Sequence, residues 1–328
     1  MHIGLIAEAD SEVGFGHLAE ITAVAAGFES HGVRTRCLAI GSAPEVSHWE
    51  RVEWLRDWRQ LSSTLQSANF TVAVWSARRS LWNTCWPELA RSAARHVWMM
   101  DTPGGHPNVD VLINPTLSDF LSNREAAVVL QGPQYFPLIP RMRSKCIPLN
   151  ERSRNVLLTL GGADRTQATL RLLPALTKSS STVVIGPGFK HRKEVQRTAG
   201  DLGVATEIAP ANLFELLASH RIVISAGGNT LYEAAAMGTP ALVAWEDPHE
   251  ERQGKTFVSA GTARLLGRGA DVDPGDVERA IDRLLGSAEL QTMSDAALHL
   301  VDGGGVDRIC NATLRLIHAD RNLAAQDQ

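Results

Sequence analysis

Arg221-Ile-Val-Ile-Ser225-Ala226-Gly227-Gly228-Asn229-Thr230-Leu-Tyr-Glu233-Ala-Ala-Ala-Met-Gly238-Thr-Pro240 decides the fold. It reads as strand, turn, helix and stop. Ile222 to Ile224 form a short β-branched run, the residue type that suits a pleated surface. Gly227 and Gly228 allow a sharp turn and leave no Cβ between backbone and ligand. Thr230 and Glu233 have the spacing of a capping box. Gly238 stands where a C′ glycine belongs, and Pro240 blocks further helix. Ala241 to Trp245 then reads as the next strand. A glycine turn feeding a helix start presents N–H groups and the positive end of a helix dipole, an arrangement that suits phosphate. An ordinary βαβ turn without a ligand looks the same, and Glu233 reads as readily as a cap.

The chain has 328 residues, of which 44% are hydrophobic. That is enough for two domains, each with its own core. A formal net charge of −4 argues against nucleic acid or an anionic membrane as the main partner. Cys37, Cys85, Cys146 and Cys310 are far apart and form no C-x-x-C pair. This fits a reducing compartment, with neither a zinc site nor a disulfide framework. His2-Ile-Gly-Leu-Ile6 lacks the length and basic flank of a signal peptide. No apolar run approaches the roughly 18 residues of a membrane span. The expectation is a soluble, cytoplasmic protein.

Residues 2 to 7 read as a first strand. Glu8 to Gly16 is a polar loop, Leu18 to Ser30 an alanine-rich helix, and Thr35 to Ile40 the second strand. This order implies a parallel sheet with a right-handed crossover. Trp49 to Trp58 reads as helix, with Trp54 and Trp58 sharing a face. Phe70 to Trp75, His96 to Met100, Asp110 to Asn114 and Ala127 to Leu130 are further strands. Asp101 follows one of them, at the carboxyl edge where open α/β sheets bind ligands. Most of the tryptophans, seven of which precede residue 100, read as packing residues. Pro137 to Arg154 is the candidate linker, so the expected domains are 1–145 and 146–328. The second begins with strand 155–160, then Gly161-Gly162-Ala-Asp164 and a helix to Thr177. Strands at 182–185 and 205–208 and helices at 213–219, 250–260, 274–286 and 306–318 complete the reading.

Three glycine turns stand at expected strand ends: Gly14-Phe-Gly16-His17, Gly161-Gly162 and Gly227-Gly228-Asn229. The first formally matches G-x-G-x-x-A. It lies too far from its strand, and no acidic residue closes the second strand, so it is not a dinucleotide fingerprint. A helix start disfavours imidazolium, which makes His17 a candidate general base; a histidine held by local hydrogen bonds reads equally well. Asp10 and Asp101 are candidates to orient it or to hold sugar hydroxyls, and either also reads as a turn or strand-end cap. Asp271-Val-Asp273 has the look of a metal pair, but Asp273 before Pro274 reads as an N-cap. No His/Glu cluster has metal-ligand spacing, so no metal and no cofactor are expected.

Four segments carry a family resemblance: Ala9 to His17, Gly132-Pro-Gln-Tyr135, Leu160 to Asp164, and Ser225 to Glu233. In order and spacing the chain resembles the UDP-sugar hydrolases of pseudaminic acid biosynthesis. More distantly it resembles the glycosyltransferase that forms lipid II. The resemblance implies a GT-B fold, two Rossmann-like domains facing a cleft, with the nucleotide on the C-terminal one. It implies His17 as the base that activates water and Glu233 as the ribose ligand. It implies Pro210 to Leu213, including Asn212, as the loop edging the uracil. Gly162 and residues 226–230 complete the nucleotide set. Gly16, Tyr135 and Gln253 are the substrate-binding candidates. The hydrolases usually carry arginine where this chain has Ala7, Glu20 and Ile139, which implies a changed sugar pocket. Three functions follow: a metal-independent inverting nucleotide-sugar hydrolase, a glycosyltransferase on the same fold, and a nucleotide-binding partner without catalysis.

Overall fold

The computed structural model describes residues 1–45, 49–77, 85–91, 93–99, 109–117, 128–140 and 142–326. The chain forms two compact units. Unit 1 comprises Met1–Ala43, Trp49–Pro140 and Gly303–Gln328, and unit 2 centres on Arg141–Asp302.

Among the described residues, unit 1 holds a seven-stranded parallel sheet. Its strands are β1 (His2–Ala9), β2 (Arg34–Gly41), β3 (Val52–Leu55), β4 (Phe70–Ser76), β5 (Ala93–Met99), β6 (Val111–Asn114) and β7 (Val128–Gln131). Their order is β3-β2-β1-β4-β5-β6-β7. Both faces of such a sheet are covered, so its strands read as apolar runs rather than alternations. On one face Ile3, Leu5, Ala7, Val72 and Val74 pack beneath helix α1 (Gly16–Ser30). On the other, Ile6, Trp75, Trp86 and Trp98 are buried together, with Trp75 and Trp86 edge to face at 5.4 Å. Trp75 donates its indole N–H to Nδ1 of buried His96 at 3.1 Å. These tryptophans are packing residues.

Trp49 to Trp58 is not a helix. Val52–Leu55 pairs with β2 as a parallel edge strand, and helix α2 (Trp58–Ala68) begins only after Asp57. The Asp57 carboxylate accepts from the N–H groups of Arg59 and Gln60. An N-cap therefore outweighs the Trp54/Trp58 spacing.

In unit 2 the described strands are β8 (Arg154–Thr159), β9 (Ser181–Ile185), β10 (Ala205–Ile208), β11 (His220–Ser225), β12 (Ala241–Trp245) and β13 (Ala263–Arg268). They form a second parallel sheet, order β10-β9-β8-β11-β12-β13. Helices α3 (Ala168–Leu172), α4 (Arg192–Asp201), α5 (Leu213–Ser219), α6 (Thr230–Ala236), α7 (Pro248–Ser259), α8 (Pro274–Leu285) and α9 (Glu289–Leu300) surround it. β13 and α9 have no counterpart among the expected elements. β13 is a glycine-broken edge strand whose register against β12 shifts at Val243/Ala244. Asp273 caps α8 as expected, accepting from Gly275 N–H at 2.9 Å.

The division at 145/146 needs two corrections. The segment Pro137 to Arg154, expected as the linker, is packed, with Leu138, Met142 and Leu149 all buried. The last helix, α10 (Gly305–Gln326), belongs to unit 1 rather than to the second half. Val306, Ile309 and Cys310 join the core around α1. A Cβ built at Gly27 of α1 would lie 2.2 Å from Val306 Cγ1, so glycine is what admits the crossing helix.

The amino edge of the unit 2 sheet is clamped by Arg152, only 7% exposed. Its guanidinium donates to the carbonyls of Ile147 (2.9 Å), His220 (2.8 Å) and Met237 (2.5 Å) and to the Thr239 hydroxyl (2.7 Å). Met237 closes α6, so the cation also meets the negative end of that helix. Arg152→Leu is expected to lower the stability of the protein by at least about 3 kcal/mol, because the acceptors stay buried while their charged donor is gone. Arg152→Lys recovers only part, since an ammonium cannot reproduce the fork. Urea midpoints of the three proteins measure both.

Candidate functional site

In each sheet, successive crossovers leave in opposite directions at one point: between β1 and β4 in unit 1, and between β8 and β11 in unit 2. Open α/β sheets bind ligands at such a point, beyond the carboxyl ends of the strands.

In unit 2 both glycine turns fall there. β8 runs into Gly161-Gly162, and β11 into Ala226 to Asn229. The first turn is locked from below. Gly188 N–H donates to Gly162 O at 2.8 Å, and a Cβ at Gly186 would lie 2.4 Å from Gly161 O. Asp164, at φ +31°, accepts from the N–H groups of Ala168 and Thr169. It also pairs with His191 Nε2 at 3.0 Å. In the second turn Gly227 has φ +113°, a conformation that favours glycine. A Cβ there would lie 2.8 Å from Glu250 O, whereas one at Gly228 would meet nothing within 4 Å. The turn is thus packed at Gly227 and open at Gly228.

The capping box is not formed. Asn229 is the N-cap and makes no side-chain cap, so Thr230 is the first helical residue and Glu233 lies one position too far along. The backbone carbonyl of Asn229 instead accepts from Tyr232 N–H and Glu233 N–H. The helix stop is as expected: Gly238 has φ +63°, and Thr239 N–H reaches Ala234 O while Gly238 N–H reaches Ala235 O. That is the Schellman pattern. Pro210 and Asn212 follow edge strand β10, with Ala209 at φ +40°, and Leu213 opens α5. Gln253 is buried, its amide N–H₂ on Gly227 O at 2.6 Å. The structure therefore gives it the turn to support.

In unit 1, α1 starts at Gly16, so His17 lies in its first turn, half-buried. The loop before it is fixed by Asp10, whose Oδ1 accepts from the N–H groups of Glu12 and Val13 at 2.7 Å each. Asp10 is an Asx turn, and that oxygen is engaged in the backbone. Phe15 stacks on Trp49 at 5.5 Å. Glu20, one helical turn past His17, is 1% exposed and accepts from Ser76 Oγ at 2.5 Å. Ser76 is the register partner of Ala7. Two of the three positions where the resemblance expects arginine thus meet at one place, the β1/β4 crevice. Ile139 is 46% exposed and stands apart. Tyr135 packs on the unit 1 core. Asp101 lies outside the described residues.

The sequence reading missed the acidic rim of the unit 2 site. Glu246 ends up buried, accepting from Thr166 N–H (3.2 Å) and Oγ1 (3.0 Å). Arg165 lies 3.5 Å from Glu246 and 3.2 Å from Asp247. Asp247 caps α7 at His249 N–H and Glu250 N–H, and Glu250 accepts from Glu246 N–H at 2.8 Å. Asp247-Pro248 repeats the Asp273-Pro274 signal, and was legible as a helix start. That this helix packs under Gly227 was not. Among the described residues, no group of three or more His, Cys, Asp or Glu side chains is placed to hold a metal ion.

The two sheets and their switch points define the architecture. The chain has the GT-B fold, two Rossmann-like α/β units. It aligns with the Staphylococcus aureus MnaA–UDP co-structure at TM-score 0.64 and 14% identity, over 97% of each chain. It aligns with the spinosyn rhamnosyltransferase SpnG complexed with thymidine diphosphate at TM-score 0.64 and 15% identity, over 97% of this chain and all of that one. In sequence it is 24% identical to the spore coat polysaccharide biosynthesis protein SpsG of Bacillus subtilis (strain 168), over 94% of this chain and 96% of SpsG. No protein-family model matches the chain. No helix among the described residues is long and apolar enough to cross a membrane.

Burial pushes the Glu250 carboxyl up to about 7. The folded state holds that proton more tightly than the unfolded chain. The resulting stability is full below the ordinary glutamate range and declines as pH rises through about 7. Glu250→Gln stays neutral throughout. It is expected to match the wild type near pH 4 and to exceed it by about 1–3 kcal/mol above pH 7, in urea titrations at the two pH values.

Proposed function

We propose that this chain is an enzyme that cleaves the anomeric C–O bond of a UDP-activated sugar, with water as acceptor. The observation that carries the reading is the pair of glycine turns at the unit 2 switch point, matched by a histidine at the corresponding point of unit 1. The similarity to SpsG, and the UDP and thymidine diphosphate of the two structural neighbours, support a nucleotide-sugar substrate.

Unit 2 binds the nucleotide. Gly162 and residues 226–230 meet the diphosphate through backbone N–H groups, Glu233 holds the ribose, and Pro210, Asn212 and Leu213 edge the uracil. His17 takes a proton from water as its oxygen bonds to the anomeric carbon. The C–O bond breaks, and UDP leaves with the electron pair. Attack opposite the leaving group inverts the centre without a covalent intermediate. Donors aimed at the departing oxygens do the work of a cation, so turnover is expected to survive EDTA.

A second reading, transfer of the sugar to an acceptor hydroxyl, is favoured by the rhamnosyltransferase neighbour. Incubation with UDP-sugars, without and with candidate acceptors, separates the two by whether UDP release needs the acceptor.

His17→Asn is expected to lower kcat by about 10²- to 10⁴-fold, the range of a general base. UDP affinity by calorimetry stays within about twofold, because the nucleotide is held by the other unit. Turnover per folded molecule within about threefold of wild type, too small for that range, rejects the mechanism. Glu233→Ala is expected to weaken UDP by about 1–3 kcal/mol.

A further inference from the structure

We infer that Gln253 is a positioning residue for anion binding: it fixes the Gly227–Gly228 peptide so that the Gly228 N–H faces the diphosphate. This rests on the nucleotide reading above and names the residue that sets the turn's geometry.

A Gly-Gly peptide is the one least able to hold its own orientation, since neither side has a Cβ to restrict it. Something outside the turn must fix it. Gln253, 4% exposed on the second turn of α7, donates from Nε2 to Gly227 O at 2.6 Å. A carbonyl can only be met by the N–H₂ end of the amide, which settles which way the side chain lies. Its Oε1 faces the hydroxyl of fully buried Tyr232 at 3.5 Å, and Tyr232 packs edge to face on Phe257 of α7 at 4.9 Å. One turn earlier on α7, Glu250 O closes the space beside Gly227. The turn is therefore held from the α7 side by a hydrogen bond and by contact.

The consequence follows from peptide geometry. No described peptide is cis, and across a trans peptide the C=O and the next N–H point in opposite directions. With Gly227 O directed at Gln253, the Gly228 N–H is directed away from α7. Gly228 is also the residue where an added Cβ would meet nothing within 4 Å. The donor is thus presented on the unpacked side of the turn, already oriented. Gln253 itself touches no ligand. It acts through the peptide.

The test is UDP titration by calorimetry with the full-length wild type, Gln253→Leu and Gln253→Glu, between about pH 5 and 8.5. Gln253→Leu is expected to bind UDP roughly tenfold more weakly at every pH, the loss of one oriented donor to a charged group. Gln253→Glu is expected to be as weak or weaker at high pH, where a carboxylate faces a carbonyl. It regains affinity toward pH 5, as its carboxyl gains a proton to donate to Gly227 O. Glu246, Asp247, His249, Glu250 and Arg165 are ionisable groups at this end of α7 and the loops it meets, so each variant is read against the wild type at the same pH. A role in packing alone gives no such regain. Folded Gln253→Leu with wild-type affinity overturns the inference, as does Gln253→Glu without pH-dependent recovery. Should Gln253→Leu not fold, the Gln253→Glu profile decides. A wild type that binds no UDP removes the nucleotide reading itself, a result distinct from either variant outcome.

Discussion

A parallel strand can be followed only by a crossover, and the crossover is right-handed. Where two neighbouring strands send their crossovers opposite ways, their carboxyl ends are left uncovered. In this chain that happens between β1 and β4 and between β8 and β11. The glycine turns of unit 2, the first turn of α1 and the buried Glu20–Ser76 pair all lie at these two openings. The crevice comes from topology; the side chains placed there supply the chemistry.

An exposed glycine turn is useful only if it keeps one shape. Unit 2 supplies that rigidity from beneath. Gly186 and Gly188 press on the first turn, and Glu250 and Gln253 on the second. Thr166 and Arg165 tie the loop after β8 to the loop after β12 through Glu246 and Asp247. The cost is a cluster of carboxylates in a partly desolvated place, visible as the raised Glu246 and Glu250. At the opposite edge, Arg152 solves a different problem by meeting the backbone carbonyls that gather there with a single buried cation.

The changed residues of unit 1 gain meaning from the fold. In the chain, Ala7 and Glu20 are separate departures from a family pattern. In the sheet, Ala7 is the partner of Ser76, and Ser76 donates to Glu20. A fully buried Ala7 and a buried Glu20 stand where the resemblance expects two long cations. The β1/β4 crevice therefore holds a methyl group and a carboxyl group in place of the two guanidinium groups that the resemblance implies.

By itself the sequence determined the α/β class, the two sheets, most strands, the Gly238 stop and the Asp273 cap. These depend on neighbours in the chain, which apolar runs and turn residues report directly. It also placed the glycine turns at strand ends and His17 at a helix start. Tertiary structure decided the rest. The Trp49 to Trp58 segment became a strand and a capped helix because β2 offered an edge and Asp57 a cap. The last helix joined unit 1 because Gly27 admits Val306. Asp10 turned inward on its own loop, and Gln253 turned to Gly227 O. Each of these depends on what lies across space from a residue. Spacing along the chain carries no record of that, because burial and hydrogen-bond partners are set only when distant segments meet.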